Sequence, residues 1–145
     1  MGLVMVGVAA ESDVSDQAAA DWKGPKLNLC GKLTPRETGA VLKHARAFLG
    51  QDSGPMHLAT SVRVPCVAVF SARNKPGIWF PNGSGHRVIY HQTPCYGCGL
   101  EFCEQFAKAC ITSVTVDEVL GAVESVLPRI VDRDYRASGV AESAA

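Results

Sequence analysis

Apolar and polar positions fall along this chain in alternating blocks of strand and helix length. Leu3-Val4-Met5-Val6-Gly7-Val8 is a continuous apolar run that predicts a strand, and the polar segment from Glu11 to Asp16 leads into a short helix ending near Trp22. Lys23-Gly24-Pro25 breaks that helix, and Leu27 to Cys30 forms the next strand. Thr34-Pro35-Arg36-Glu37 combines a capping box with proline at the first helical position, so a helix runs from there to about Arg46. Ala47 to Leu49 reads as a buried strand feeding a helix that starts around Pro55, and Cys66 to Phe70 as another buried strand. A loop with Pro76, Pro81 and three glycines separates it from a last short strand, Arg87 to Tyr90. Thr115-Val116-Asp117-Glu118 is a second capping box. It opens a helix whose Val116, Val119, Leu120, Val123, Val126 and Leu127 keep an apolar stripe until Pro128. This alternation predicts an α/β fold, a parallel sheet wrapped by helices, with ligands at the carboxyl ends of the strands. One domain over residues 1–130 and a frayed tail over 131–145 complete the expected organisation.

The block richest in chemistry is Phe48-Leu49-Gly50-Gln51-Asp52-Ser53-Gly54-Pro55-Met56-His57-Leu58-Ala59, where strand, turn and helix follow within a few residues. Asp52 or Ser53 can cap the helix, and Gly54 lets a ligand approach without a Cβ in the way. Proline suits the first turn, whose free N–H groups attract negative charge. His57 lies three residues after Gly54 and four after Ser53, which puts its imidazole on the face of that opening turn. A phosphate is the natural guest, although an ordinary capped helix with an incidental histidine has the same local chemistry.

Charge narrows the options: fourteen basic and fourteen acidic residues balance, so a nucleic-acid surface or polybasic membrane patch is not the main business of the chain. Any anion site must be local. The apolar runs fall far short of a bilayer span, and the amino terminus has no basic region followed by an apolar core and cleavage site, so a cytoplasmic location is expected.

The segment Asp52-Ser53-Gly54-Pro55-Met56-His57-Leu58-Ala59 resembles the D-S/T-G-x-x-H-L-A signature of glycosyltransferase family 9, the heptosyltransferases of lipopolysaccharide assembly. Flanking segments agree in order, from Leu29-Cys30-Gly31-Lys32-Leu33-Thr34 through Val64-Pro65-Cys66-Val67-Ala68-Val69-Phe70 to a cysteine-rich loop and Ile111-Thr112. The likeness runs from about residue 2 to residue 127. It implies a Rossmann-like domain corresponding to the carboxyl-terminal, donor-binding half of a two-domain GT-B enzyme. The amino-terminal half is expected to lie elsewhere, and a strand at the first residues fits a severed domain or incomplete gene.

The resemblance implies a nucleotide diphosphate sugar, ADP-heptose or similar, as ligand, with displacement at the anomeric carbon and inversion. Ser53 and the backbone around Gly54, with Pro55 and Met56 in the same turn, would hold the diphosphate. His57 would offer an N–H as leaving charge grows, and Asp52 would accept from sugar hydroxyls or cap the helix. For the nucleoside, Glu11 or Asp13 would meet the ribose and Leu33 the base, although the acids also suit a solvated turn or cap and Leu33 suits ordinary core. Arg73 and Lys75 can reach the phosphates, ranking below His57 because loop cations are usually solvated. The general base and the glycan or lipid-linked acceptor site belong to the absent half, so this chain should bind without turnover, peripheral to the inner membrane when part of the full enzyme. No metal is required for catalysis; the one D-x-D pair, Asp132-Arg133-Asp134, falls in the tail and is discounted.

Cys95, Cys98, Cys103 and Cys110 cluster as C-x2-C-x4-C-x6-C. Four thiolates can close a tetrahedral structural zinc site and the same sulfurs suit an iron–sulfur cluster, while reduced or redox-labile thiols are the alternative. Cys30 and Cys66 sit in apolar runs as small core residues. His44 and His86 have no partner pattern, and His91 can substitute for one sulfur. Two other classes compete. An acyl hydrolase would use Ser53, yet the G-x-S-x-G elbow is missing. A non-catalytic module, with the cysteine loop recruiting a partner, is the stronger rival because half of the enzyme is absent.

Overall fold

The hydrophobic blocks become two parallel ladders with helices beside them. The computed structural model describes the backbone of residues 1–103 and 106–137, with side chains through residue 127. In chain order the elements are β1 Leu3–Met5, α1 Ser12–Ala18 after a 3-10 turn at Ala9–Glu11, β2 Lys26–Asn28, α2 Pro35–Leu42, β3 Phe48–Gln51, α3 Gly54–Ser61, β4 Cys66–Phe70, β5 Arg87–Tyr90, α4 Ala109–Thr112 and α5 Val116–Ala137. β1 pairs with β2, and β3, β4 and β5 form a second ladder in that order, every pair parallel. Because connected strands all run one way, the segments that follow them gather at one end of each ladder.

β4 forms the centre of the larger ladder: Cys66, Val67 and Ala68 are fully buried, as a strand covered on both faces requires. One of its faces packs with Leu42, Ala59 and Val64 from the α2 and α3 region. On the other face Val67 and Ile89 meet Val126, with Val119, Ala122, Val123 and Leu127 of α5 around them. The expected apolar stripe of α5 is therefore the part that docks.

The two capping boxes differ. At α2 both halves form: the Thr34 hydroxyl accepts from Glu37 N–H at 3.3 Å and the Glu37 carboxylate accepts from Thr34 N–H at 2.8 Å. At α5 the Thr115 hydroxyl accepts from Glu118 N–H at 3.2 Å, but the Glu118 carboxylate is taken by His91 at 2.9 Å. α2 ends at Leu42 instead of near Arg46, and α5 continues through Pro128 to Ala137. Proline has a helical φ and removes one donor, so a helix anchored by a packed stripe can run past it at the loss of that bond. Residues 131–137 of the expected frayed tail are thus helical, and 138–145 lie outside the described residues. Asp132 and Asp134 fall on that extension.

Cys30 and Cys66 are buried, as expected of small core residues. Cys66 Sγ donates to the Val64 carbonyl at 3.3 Å, and burial pushes its pKa up to about 11. At pH 8, mass spectrometry after iodoacetamide treatment should find Cys66 unmodified and the exposed Cys98 alkylated. Thr34→Ala should lower stability by about 1 kcal/mol in denaturant unfolding. Backbone and hydroxyl bonds from Thr34 hold the Glu37 pKa below its ordinary value. The stability this carboxylate contributes is therefore present above that ordinary value and lost as pH falls through the lowered one. In acid titrations of unfolding free energy, Glu37→Gln should flatten that part of the curve.

Candidate anion site at the start of α3

β3 ends at Gln51, Ser53 is extended at φ −155 and ψ 160, and α3 begins at Gly54 with Pro55 in its first turn. The Ser53 carbonyl accepts from Met56 N–H at 3.1 Å and from His57 N–H at 3.3 Å. No side chain caps this helix. Asp52 and Ser53 thus leave the opening turn bare, in contrast to Thr34 at α2, and the capping alternative for Asp52 is not realised. Open space adjoins Gly54: a Cβ built there meets no heavy atom within 4 Å. With Pro55 lacking an N–H and the Met56 and His57 amides donating to Ser53, the Gly54 N–H is the donor that the first turn of this uncapped helix leaves for an anion.

Met56 does not belong to that surface. Its side chain is fully buried against Ala68 and Phe70, so its expected role in contacting a ligand is corrected to anchoring the helix on β4. Its position one residue before His57 turns it to the sheet while the histidine faces out. Pro55 is half-buried and has no N–H to offer.

His57 Nε2 lies 3.9 Å from Asp52 Oδ1, beyond hydrogen-bonding distance, with both side chains partly exposed. The indole of Trp79 stands edge-on to the imidazole, with ring centroids 6.3 Å apart at 71°. Trp79 is exposed and lies in the loop that leaves β4, beside the exposed Ile78. The sequence reading missed this residue; a lone tryptophan in a proline- and glycine-rich loop after a buried strand was the available signal. His57, Asp52 and Trp79 are the groups that the fold brings together.

The other expected binding residues follow the carboxyl ends of their strands. The Glu11 carboxylate accepts from Val8 N–H at 2.9 Å in the 3-10 turn after β1. It lies over Gly7, where a Cβ would collide with it, so one oxygen is occupied by the turn itself. Asp13 is exposed in the first turn of α1, and Leu33 is half-buried between β2 and α2. Arg73 and Lys75 are exposed after β4. The carbonyls of Ala72 and Arg73 accept from Gly97 N–H at 2.7 Å and Gly99 N–H at 2.8 Å, pinning the cysteine-rich loop there, and the stem of Lys75 lies close to Gly97.

The four loop cysteines are not assembled as a ligand set. Among the described residues, no three His, Cys, Asp or Glu side chains gather in a way that could hold a metal. Cys95 Sγ is 3.4 Å from the Thr93 hydroxyl, Cys103 Sγ accepts from Lys108 N–H at 3.4 Å, and Cys98 is exposed. Cys110 stands in α4 near Tyr90, whose pKa is raised by burial first and then by the nearby Cys110 and Tyr96. The glycine bonds to residues 72 and 73 tie the first pair to the β4 loop while Cys110 belongs to a helix, which keeps the set apart. His91 is engaged away from the cysteines, its Nδ1 2.8 Å from the Ser113 hydroxyl and its Nε2 2.9 Å from Glu118. His86 is structural too: Nδ1 accepts from Cys66 N–H at 3.1 Å, so the proton sits on Nε2, 3.1 Å from the Asn82 carbonyl. His44 is exposed.

Comparison with known proteins places this geometry. Over 48 residues the chain is 44% identical to lipopolysaccharide heptosyltransferase 3 of Escherichia coli, a stretch that is 33% of this chain and 14% of that protein. The structure of E. coli ADP-heptose lps heptosyltransferase II superposes with a TM-score of 0.68 at 20% identity, covering 87% of this chain and 36% of that one. A family 9 glycosyltransferase from Veillonella parvula gives a TM-score of 0.68 at 19% identity with the same coverages. The dodecameric iron-containing heptosyltransferase TibC, solved with ADP-D-β-D-heptose, gives 0.54 at 18%, covering 96% of this chain and 48% of that one. The chain therefore spans only a minor part of these relatives, and the structural likenesses establish its Rossmann-like fold. Residues 3–105 match the family described as Glycosyltransferase family 9 (heptosyltransferase), and the chain belongs to that family.

Proposed function

We propose that this chain is the donor-binding part of an inverting glycosyltransferase that moves a heptose-like sugar from a nucleotide diphosphate to a lipopolysaccharide-core or related glycan acceptor. The observation that carries the reading is the uncapped start of α3, with open space at Gly54 and His57 on the same opening turn. A diphosphate oxygen accepts from the Gly54 N–H at that helix start, and the His57 imidazole donates an N–H as charge accumulates on the departing group. Both act hardest when the glycosidic bond is nearly broken, which is how fixed donors lower a barrier. Asp52 accepts from hydroxyls of the sugar. Trp79 offers an aromatic wall beside His57 for the apolar face of the sugar or base.

The acceptor hydroxyl attacks the anomeric carbon from the side opposite the diphosphate, and its proton passes to a base on another part of the full enzyme. No helix among the described residues is long and apolar enough to cross a membrane. We place the reaction at the cytoplasmic face of the inner membrane, where sugar nucleotide and nascent glycan meet. TibC, described as iron-containing, lends some support to a metal in the cysteine loop. Zinc or iron there requires the four thiolates to close to about 2.3 Å from one ion, a rearrangement of the loop. Such an ion would be structural and take no part in sugar transfer.

Gly54→Ala separates folding from binding. With nothing within 4 Å of the added methyl, its thermal stability should match the parent, while ADP-heptose binding, followed by NMR shifts of the α3 amides, should weaken roughly tenfold. His57→Ala should lose a similar factor. Unchanged affinity in both variants removes the donor site from this helix. For the cysteine loop, native mass spectrometry of chain purified without chelator decides the metal question: one added zinc or iron, lost in Cys98→Ser, supports the ion, and the bare protein mass rejects it.

A further inference from the structure

The two ladders are not hydrogen-bonded to each other: among the described residues, β1 has only β2 as a neighbour, and β3 has only β4. The edges that face away from those partners can be identified. Leu3 N–H donates to Pro25, and the Met5 and Gly7 carbonyls accept from Leu29 and Gly31, so these three residues turn toward β2. In a parallel strand alternate residues address opposite edges, which leaves the backbone groups of Val4 and Val6 pointing away from it. Phe48 N–H donates to Pro65 on the β4 side, so Leu49 and Gln51 address the free edge of β3. Val6 and Phe48 nevertheless pack against one core cluster with Leu42, Ala59, Val64 and Cys66, which sets both open edges over common ground. Val4, Leu27 and Leu49 are about half exposed, at 48%, 53% and 56%, an unusual fate for apolar residues of parallel strands.

In a doubly wound sheet the first strand lies at the centre, the second and third step outward on one side and the fourth onward on the other. The order β2-β1 and then β3-β4-β5 matches that arrangement with the central place lying between β1 and β3. We infer that this sheet has an open central position, between β1 and β3, built to receive one further parallel strand. The occupant is a strand from polypeptide that precedes β1 in a longer chain, joined to it by a helical crossover, since a parallel neighbour of β1 cannot be reached by a tight turn. The structures to which this chain is similar supply the length for it, because it covers 36% of the E. coli heptosyltransferase II chain. The added strand satisfies both open edges, and its helix covers apolar side chains beside them. Its carboxyl end opens beside Asp52-Ser53-Gly54, at the switch point where such sheets bind ligands. Only this last consequence rests on the donor-site reading.

NMR hydrogen exchange tests the inference without any ligand. The comparison is between the chain and a fusion in which a designed valine- and isoleucine-rich strand of about five residues, followed by a helical crossover of a dozen or more, precedes Met1. In the chain alone, the amides of Val4, Val6, Leu49 and Gln51 should exchange roughly tenfold or more faster than those of Leu3 and Phe48, and in the fusion they should slow to match them. A second fusion with proline at the centre of the designed strand should restore fast exchange at the edges it addresses. Equal protection of all six amides in the unfused chain means the ladders close on each other and overturns the inference. So does a fusion that leaves exchange unchanged, or one whose proline variant protects equally well. Because sugar nucleotide is absent from these measurements, loss of the open position leaves the α3 anion site standing, and loss of the anion site leaves the open position standing.

Discussion

The helix α3 can afford a bare beginning because its underside is fixed. Met56 and Ala59 are fully buried, Met56 against Ala68 and Phe70 of β4 and Ala59 in the cluster with Leu42, Val64 and Cys66. Full burial of one methionine side chain is worth about 1.5–3 kcal/mol, more than the ~1 kcal/mol that a missing N-cap costs. The packing therefore lets the helix start go without a side-chain cap, open at the Gly54 N–H, without loosening the helix. α2 in the same chain shows the alternative, since Thr34 and Glu37 close its start reciprocally. The same chain thus caps one helix start with side chains and leaves the next uncapped beside a glycine.

Parallel pairing gives the site its reach. Segments after β3 and β4 gather at the carboxyl end of their ladder, which brings Asp52, His57 and Trp79 together although Trp79 is distant in sequence, while Glu11 and Leu33 follow the strands of the other ladder. The rigidity of this arrangement is uneven. β4 is covered on both faces by helices, whereas among the described residues β1 and β3 each leave an edge unpaired. The anion turn sits on the boundary, on a strand held by β4 on one side and open on the other.

Much of this was legible from periodicity and caps. Cys66 to Phe70 and Arg87 to Tyr90 have the bounds that their apolar runs imply, and the Thr34 box fixes the start of α2. What the sequence hid depends on contacts between distant segments. Glu118 has the right spacing for a reciprocal cap, but only the folded chain presents His91 to compete for it. Met56 lies inside the segment that resembles the family signature and still turns to the core, because a helix on a sheet must bury one face. C-x2-C spacing encodes a turn but not the anchoring of Gly97 and Gly99 to the β4 loop, and that anchoring decides where the thiols go. The separation of the ladders has no local signal, since strand order is a property of the whole sheet.

The distance between His57 and Asp52 bears on the kind of ligand that suits this turn. At 3.9 Å the two are close enough to influence one another and too far apart to be satisfied by a hydrogen bond. A histidine donor and a carboxylate acceptor thus both remain available on one small surface, beside the Gly54 N–H, which can only donate. Inorganic phosphate satisfies the donors but is repelled by the carboxylate. A neutral sugar satisfies the carboxylate and leaves the Gly54 N–H and the imidazole without an anion. A glycosyl diphosphate presents oxyanions and hydroxyls a few ångströms apart, so it can meet donors and acceptor together. The pairing of opposite polarities across an open helix start, more than the helix start alone, is therefore the feature on which the proposed preference for an activated sugar over a simpler anion rests.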